Sequence, residues 1–201
     1  MQWQSISIPY VQDGGRATTT GYPWNGDEPQ VGELNPVALA ALCRRLAEQT
    51  EPGVQFFFAL WEGYGWIHGG SAVAFLQSCQ DPPDTAGHPA THAVPPAFAE
   101  KVMAGPRLLH PRRAYLLFTG PPESAMDLGS WPTQDWFLPQ SPDLIWSSDH
   151  SWCVATEIDF DSTLLGGDAA LVDAVLADPA LYAWPIDSEE CVGSSGDLIN
   201  T

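Results

Sequence analysis

Apolar residues at Leu39, Leu42, Cys43 and Leu46 follow the i, i+3, i+4, i+7 spacing of a single helix face. Asn35 precedes that stripe as an N-cap, Pro36 fits the first helical position, and Leu34 with Leu39 has the spacing of a hydrophobic staple. The pattern predicts a helix near 35–49. "VQFFFALW" is apolar on both parities, which suits a strand covered on both faces. "RAYLLFTG", 113–120, reads as a second strand, and "PPESAMDLG" as a short helix closed by Gly129.

The last third alternates more cleanly. "DLIW" and "SWCVATEIDF" flank the polar "SSDH", so they predict a β-hairpin with a polar tip. Along the second strand Trp152, Val154, Thr156, Ile158 and Phe160 share the core-facing parity, and Cys153, Ala155, Glu157, Asp159 and Asp161 take the other. Gly166-Gly167 breaks the strand. Asp168 then caps a helix over 168–178, with Leu171, Val172, Val175 and Leu176 on one side and Pro179 past its end. The first thirty residues show no sustained period and read mostly as loop with one short strand at "SISI". "SAVAFLQS" fits strand or helix, and the five prolines of 80–96 mark an exposed loop.

These elements predict one α+β domain over 1–201, a mostly antiparallel sheet of four to six strands with the two main helices on one face. A hydrophobic content of 44% with nine tryptophans gives the chain enough to bury for a packed core. There is no basic, apolar leader at the start and no long uncharged apolar run, so a soluble, cytoplasmic protein is expected. Cys43, Cys79, Cys153 and Cys191 form no C-x-x-C pair and are expected as reduced thiols.

Charge adds an asymmetry that the periodicity does not show. The formal charge is −18; residues 1–113 carry 10 acids and 7 bases, whereas 114–201 carry 15 acids and no Lys or Arg. Phosphate contacts need cations, so nucleic acid and anionic membrane are disfavoured as partners and a basic protein or a metal ion is favoured.

The segment "EIDFDSTLLGG" concentrates the chemistry. D-x-D-S-T resembles the nucleophile loop of haloacid-dehalogenase-type phosphatases, a resemblance that would make Asp159 the nucleophile and Asp161 the acid. Only forty residues follow Asp161 and none is a cation, so a transferring phosphoryl group would meet no clamp. That match is read as coincidence. Glu157, Asp159 and Asp161 at i, i+2, i+4 are oxygen ligands suited to Mg²⁺ or Ca²⁺, but three could converge on one ion only at a bend. They are expected instead on the water-exposed flank of a long strand, with no internal counter-ion. Cys79, His88 and His92 have a ligand-like spacing, yet Pro89 and the missing fourth ligand favour a plain loop. Neither "GGSAV" nor "GSSG" is a nucleophile elbow, and the acids around "LLGGDAALV" would repel phosphate. Most tryptophans are expected in the core; Trp146 and Trp152, flanking the hairpin tip with His150, are the partner-binding candidates.

"FFFALWEGYGW", "RAYLLFTGP", "PQSPDLIW" and "SWCVATEIDFDSTLLGG" together resemble a family of uncharacterised actinobacterial proteins over roughly residues 20–187. The resemblance implies no activity. Related sequences tend to read "WPAD" where this chain has "WSSD". The functional expectation is an acidic cytoplasmic binding protein, immunity- or antitoxin-like, that engages a basic protein and needs no cofactor. The alternative is a metal-dependent hydrolase using Glu157, Asp159 and Asp161.

Overall fold

The computed structural model describes residues 10–13, 16–19, 30–70, 72–73, 92–187 and 192. In chain order the strands and α-helices are β1 (Tyr10–Asp13), β2 (Arg16–Thr19), α1 (Pro36–Glu48), β3 (Phe56–Trp61), β4 (Ala72–Val73), β5 (His92–Ala93), α2 (Glu100–Met103), β6 (Arg107–His110), β7 (Arg113–Gly120), β8 (Gly129–Thr133), β9 (Trp136–Pro139), β10 (Leu144–Ser147), β11 (Cys153–Thr156), β12 (Thr163–Gly166) and α3 (Ala169–Leu176). Two 3-10 turns, Gly65–His68 and Pro122–Asp127, complete the set.

Six strands form one antiparallel sheet in the order β12-β11-β10-β3-β7-β6, and β1-β2, β4-β5 and β8-β9 are separate two-stranded ribbons. The fold is α+β, as the sequence predicts. β3 lies inside the sheet between β10 and β7, which explains its apolar run on both parities.

One sheet face carries the core. Leu165, Val154, Ile145, Phe58 and Phe118 are successive cross-strand neighbours on five strands. Leu39, Leu42, Cys43 and Leu46 of α1 and Leu171 and Val175 of α3 close over this row in one cluster. Each buried leucine there contributes roughly 2 kcal/mol of transfer free energy. The helix starts are those that the sequence signals. Asn35 Oδ1 accepts from Ala38 N–H at 3.0 Å, and Asp168 Oδ1 accepts from Leu171 N–H at 2.9 Å. The opposite face is only half covered; Phe57 and Trp146 stack there with ring centroids 5.5 Å apart.

The structure corrects the reading at three places. The long strand through Phe160 does not exist. β11 stops at Thr156, the chain turns through 157–162, and it returns as β12 with Thr163 opposite Thr156. The buried hydroxyls of those threonines lie 3.0 Å apart and close the turn. Within it Phe160 N–H donates to the Glu157 carbonyl at 3.0 Å, so the alternation that holds over 152–156 ends there. Secondly, β1 and β2 pair where mostly loop was expected; "SISI" lies outside the described residues, and Gly14-Gly15 between the strands is a hairpin composition. Thirdly, residues 80–91 of the proline-rich segment, and most of "SAVAFLQS", lie outside the described residues, but His92–Ala93 pairs with Ala72–Val73 and Val94 is buried.

Candidate functional site

The turn between β11 and β12 brings its acids to the start of β7. The Arg113 guanidinium bonds Glu157 Oε1 through Nη1 and Asp159 Oδ2 through Nη2, the latter at 3.2 Å. It also lies 6.0 Å from the Trp61 ring centroid and is hydrogen-bonded to the Tyr115 side chain. The Glu157 bond raises its pKa further above the ordinary arginine value. The expected acidic flank without an internal counter-ion is therefore corrected: an arginine reaches Glu157 and Asp159 from another strand. These charges border a cleft of about 350 Å³ lined also by Ala155, Phe160, Ser162 and Leu164. Asp161 lies in the same turn, half-buried. Among the described residues no group of three or more His, Cys, Asp or Glu side chains is placed to hold a metal ion.

A second carboxylate lies beside this turn. Asp143 is 3% exposed. Its Oδ2 accepts from Trp61 N–H at 2.6 Å and its Oδ1 from the Tyr64 hydroxyl at 3.1 Å. Its backbone is fixed by Asp143 N–H to Ala59 O at 2.9 Å and Thr156 N–H to Asp143 O at 2.7 Å. Burial pushes the carboxyl up to about 7; the bonds from Trp61 and Tyr64 oppose the rise and the charge of Glu157 adds to it. The Tyr64 oxygen lies 3.3 Å from the Gly32 carbonyl, and Gln140 Nε2 lies 3.1 Å from that carbonyl and 3.3 Å from the tyrosine oxygen. Gly32 N–H donates to Phe160 O at 2.8 Å, so the segment before α1 is tied both to this polar cluster and to the acidic turn.

The hairpin-tip candidates do not meet. Trp152 is in the core: its ring packs on Phe56 at 4.9 Å and its Nε1 donates to Thr50 Oγ1 at 2.8 Å. Trp146 is on the opposite face of the ribbon against Phe57, while His150 is exposed at the tip with φ 59°. Cys79 and His88 lie outside the described residues; Cys43 and Cys153 are free thiols. Burial, with the charge of Glu123, pushes Cys43 up to about 12.

Two features escaped the sequence reading. Arginines of the first half answer acids of the second: besides Arg113, both Arg44 and Arg45 bond Asp178 Oδ2, at 2.8 and 2.7 Å, and the Ala180 N–H, followed by these guanidinium groups, holds that carboxyl down at about 2. The acidic half is thus partly neutralised across the fold. The other feature is the β8-β9 hairpin, which exposes Trp131 (57%), Trp136 (41%) and Leu138 (40%). The signal was present in "WPTQDWFL", two short apolar runs around a polar turn, but the general tendency of tryptophan to bury hid it.

No family model matches the chain, and no curated protein or solved structure matches it. No helix among the described residues is long and apolar enough to cross a membrane.

Proposed function

We propose that this is an acidic binding protein that engages a basic protein partner, in the manner of an immunity or antitoxin protein. The carrying observation is the β8-β9 hairpin: large apolar side chains at Trp131, Trp136 and Leu138 are exposed within a stretch that contains no Lys or Arg after Arg113. Exposed tryptophans are typical anchors of protein interfaces, and a charge of −18 accelerates encounter with a cationic partner. The hairpin replaces Trp146, His150 and Trp152 as the contact surface, since Trp152 is already engaged in the core. The hydrolase reading has less support, because Glu157 and Asp159 are already held by Arg113.

The test is affinity capture from an extract of the native host at about 50 mM and about 300 mM salt. The expected result is a basic protein that is released at the higher salt and lost with Trp131→Ala. Recovery unaffected by either change overturns the reading, as does a large thermal stabilisation by Mg²⁺, Mn²⁺ or Ca²⁺ with no captured protein.

A further inference from the structure

Tyr64 carries one hydroxyl hydrogen and has two acceptors for it, Asp143 Oδ1 at 3.1 Å and the Gly32 carbonyl at 3.3 Å. We propose that Asp143 and Tyr64 form a two-position proton switch that sets how tightly the segment around Gly32 is held against the β11-β12 turn. With Asp143 ionised, its carboxylate takes the Tyr64 hydrogen, and Gly32 O keeps only the Gln140 amide. When Asp143 takes a proton from solvent on Oδ1, it becomes the donor to the Tyr64 oxygen. The hydroxyl then rotates and gives its hydrogen to Gly32 O. No covalent bond changes other than the new O–H on Asp143.

The geometry favours this exchange. The carboxylate is buried, its bonded partners are a backbone amide and a phenol, and no arginine, lysine or histidine forms a salt bridge with it among the described residues. The one charge that acts on it directly pushes the same way. Glu157 from the β11-β12 turn repels the ionised form, although Arg113 partly neutralises it. Tyr115 on β7 lies near and is hydrogen-bonded to Arg113. Glu33, next to Gly32, has its own carboxyl raised by burial and acts on Tyr64. On the turn after β3, Glu62 is paired with Arg107, and His68 Nε2 is 2.9 Å from Glu62 O. Burial raises Asp143 to about 7, which places the exchange near neutral pH.

Gly32 is where a change in one hydrogen bond propagates. Its N–H is bound to Phe160 O, its φ of 73° is one that L side chains rarely adopt, and a Cβ there would lie 2.8 Å from Ile158 O. The β11-β12 turn that carries Glu157 and Asp159 is therefore tied to the same switch.

The experiment is carbon-detected NMR on the labelled full chain from pH 5 to pH 9, following the Asp143 carboxyl and the Gly32 carbonyl, with His68 monitored through its own ring. Both carbons are expected to move with one midpoint near 7. Below that midpoint, Gly32 amide exchange, corrected for intrinsic pH dependence, should slow about five-fold. In Tyr64→Phe the Asp143 titration should persist while Gly32 O becomes insensitive to pH. In Asp143→Asn, whose amide can donate to Tyr64, Gly32 should stay in its low-pH position throughout. An Asp143 midpoint below about 5, or a flat Gly32 carbonyl in the unmodified protein, overturns the proposal whether or not the variants fold.

Discussion

Arg113, the last cation in the sequence, is ion-paired to Glu157, 44 residues further on. The side chains are 24% and 38% exposed, so water screens the pair and its worth is modest. Arg113→Met is expected to cost about 1 kcal/mol in chemical denaturation, and a double-mutant cycle with Glu157→Gln should give a coupling near 0.5–1 kcal/mol. Additive effects of the two substitutions would show that the contact does not hold the turn.

Asp178 is a stronger case because its side chain is only 2% exposed and it bonds both Arg44 and Arg45. Asp178→Asn keeps the shape but removes the charge that both guanidinium groups face. A loss of about 2 kcal/mol and a Tm lower by roughly 4–8 °C are expected. The pH effect follows from the depressed carboxyl, at about 2 folded against 3.8 in the free side chain. Its stabilisation is complete above about pH 4 and is lost as pH falls through about 2; the asparagine variant should lack that part of the acid transition.

Asp143 predicts the opposite trend. Its carboxyl rises from 3.8 to about 7 on folding, so between those values the folded chain binds more protons than the unfolded one. Stability from this group therefore declines as pH rises from about 4 to about 7, by up to roughly 1.4 kcal/mol per pH unit, and is level above that window. Urea unfolding at half-unit pH intervals should show the slope in the unmodified protein and lose it in Asp143→Asn.

Gly32→Ala tests the tie between the segment before α1 and the acidic turn. The substitution adds a Cβ 2.8 Å from Ile158 O at a φ of 73°. A cost of about 1–3 kcal/mol is expected, with faster amide exchange concentrated at residues near 30–34 and 157–162. Exchange rising uniformly over the sheet would instead mean that the two segments are not linked through this contact.

Local signals made much of this fold legible. Asn35, Pro36 and the Leu39 stripe mark α1, the run 113–120 is β7 residue for residue, and Asp168 after Gly167 starts α3. The β11-β12 turn was not legible because D-F-D-S contains no Gly or Pro and because Ile158 and Phe160 continue the period of two. The polar cluster was hidden for a different reason. Asp143, Tyr64 and Gly32 are 79 and 32 residues apart in successive steps; pairing of β3 with β10 brings the first two together, and the bond from Gly32 N–H to Phe160 O in the β11-β12 turn brings in the third. Arg113 likewise looked like one surface cation among seven. Its role depends on which strand ends lie beside it, and neither periodicity nor composition encodes that.

Trp131 and Trp152 separate stability from recognition. Trp152 is 4% exposed, packs on Phe56 and hydrogen-bonds Thr50, so Trp152→Ala removes a buried ring and leaves the threonine hydroxyl without its donor. A loss of about 3–5 kcal/mol is expected. Trp131 is 57% exposed and its main ring contact is Phe137 at 4.9 Å on the same hairpin. Trp131→Ala should cost less than about 1 kcal/mol of stability yet weaken partner binding at least ten-fold, through faster dissociation rather than slower association. Denaturation curves and surface-binding kinetics on both variants separate the two roles; a destabilised Trp131→Ala with unchanged affinity would assign the hairpin to the fold alone.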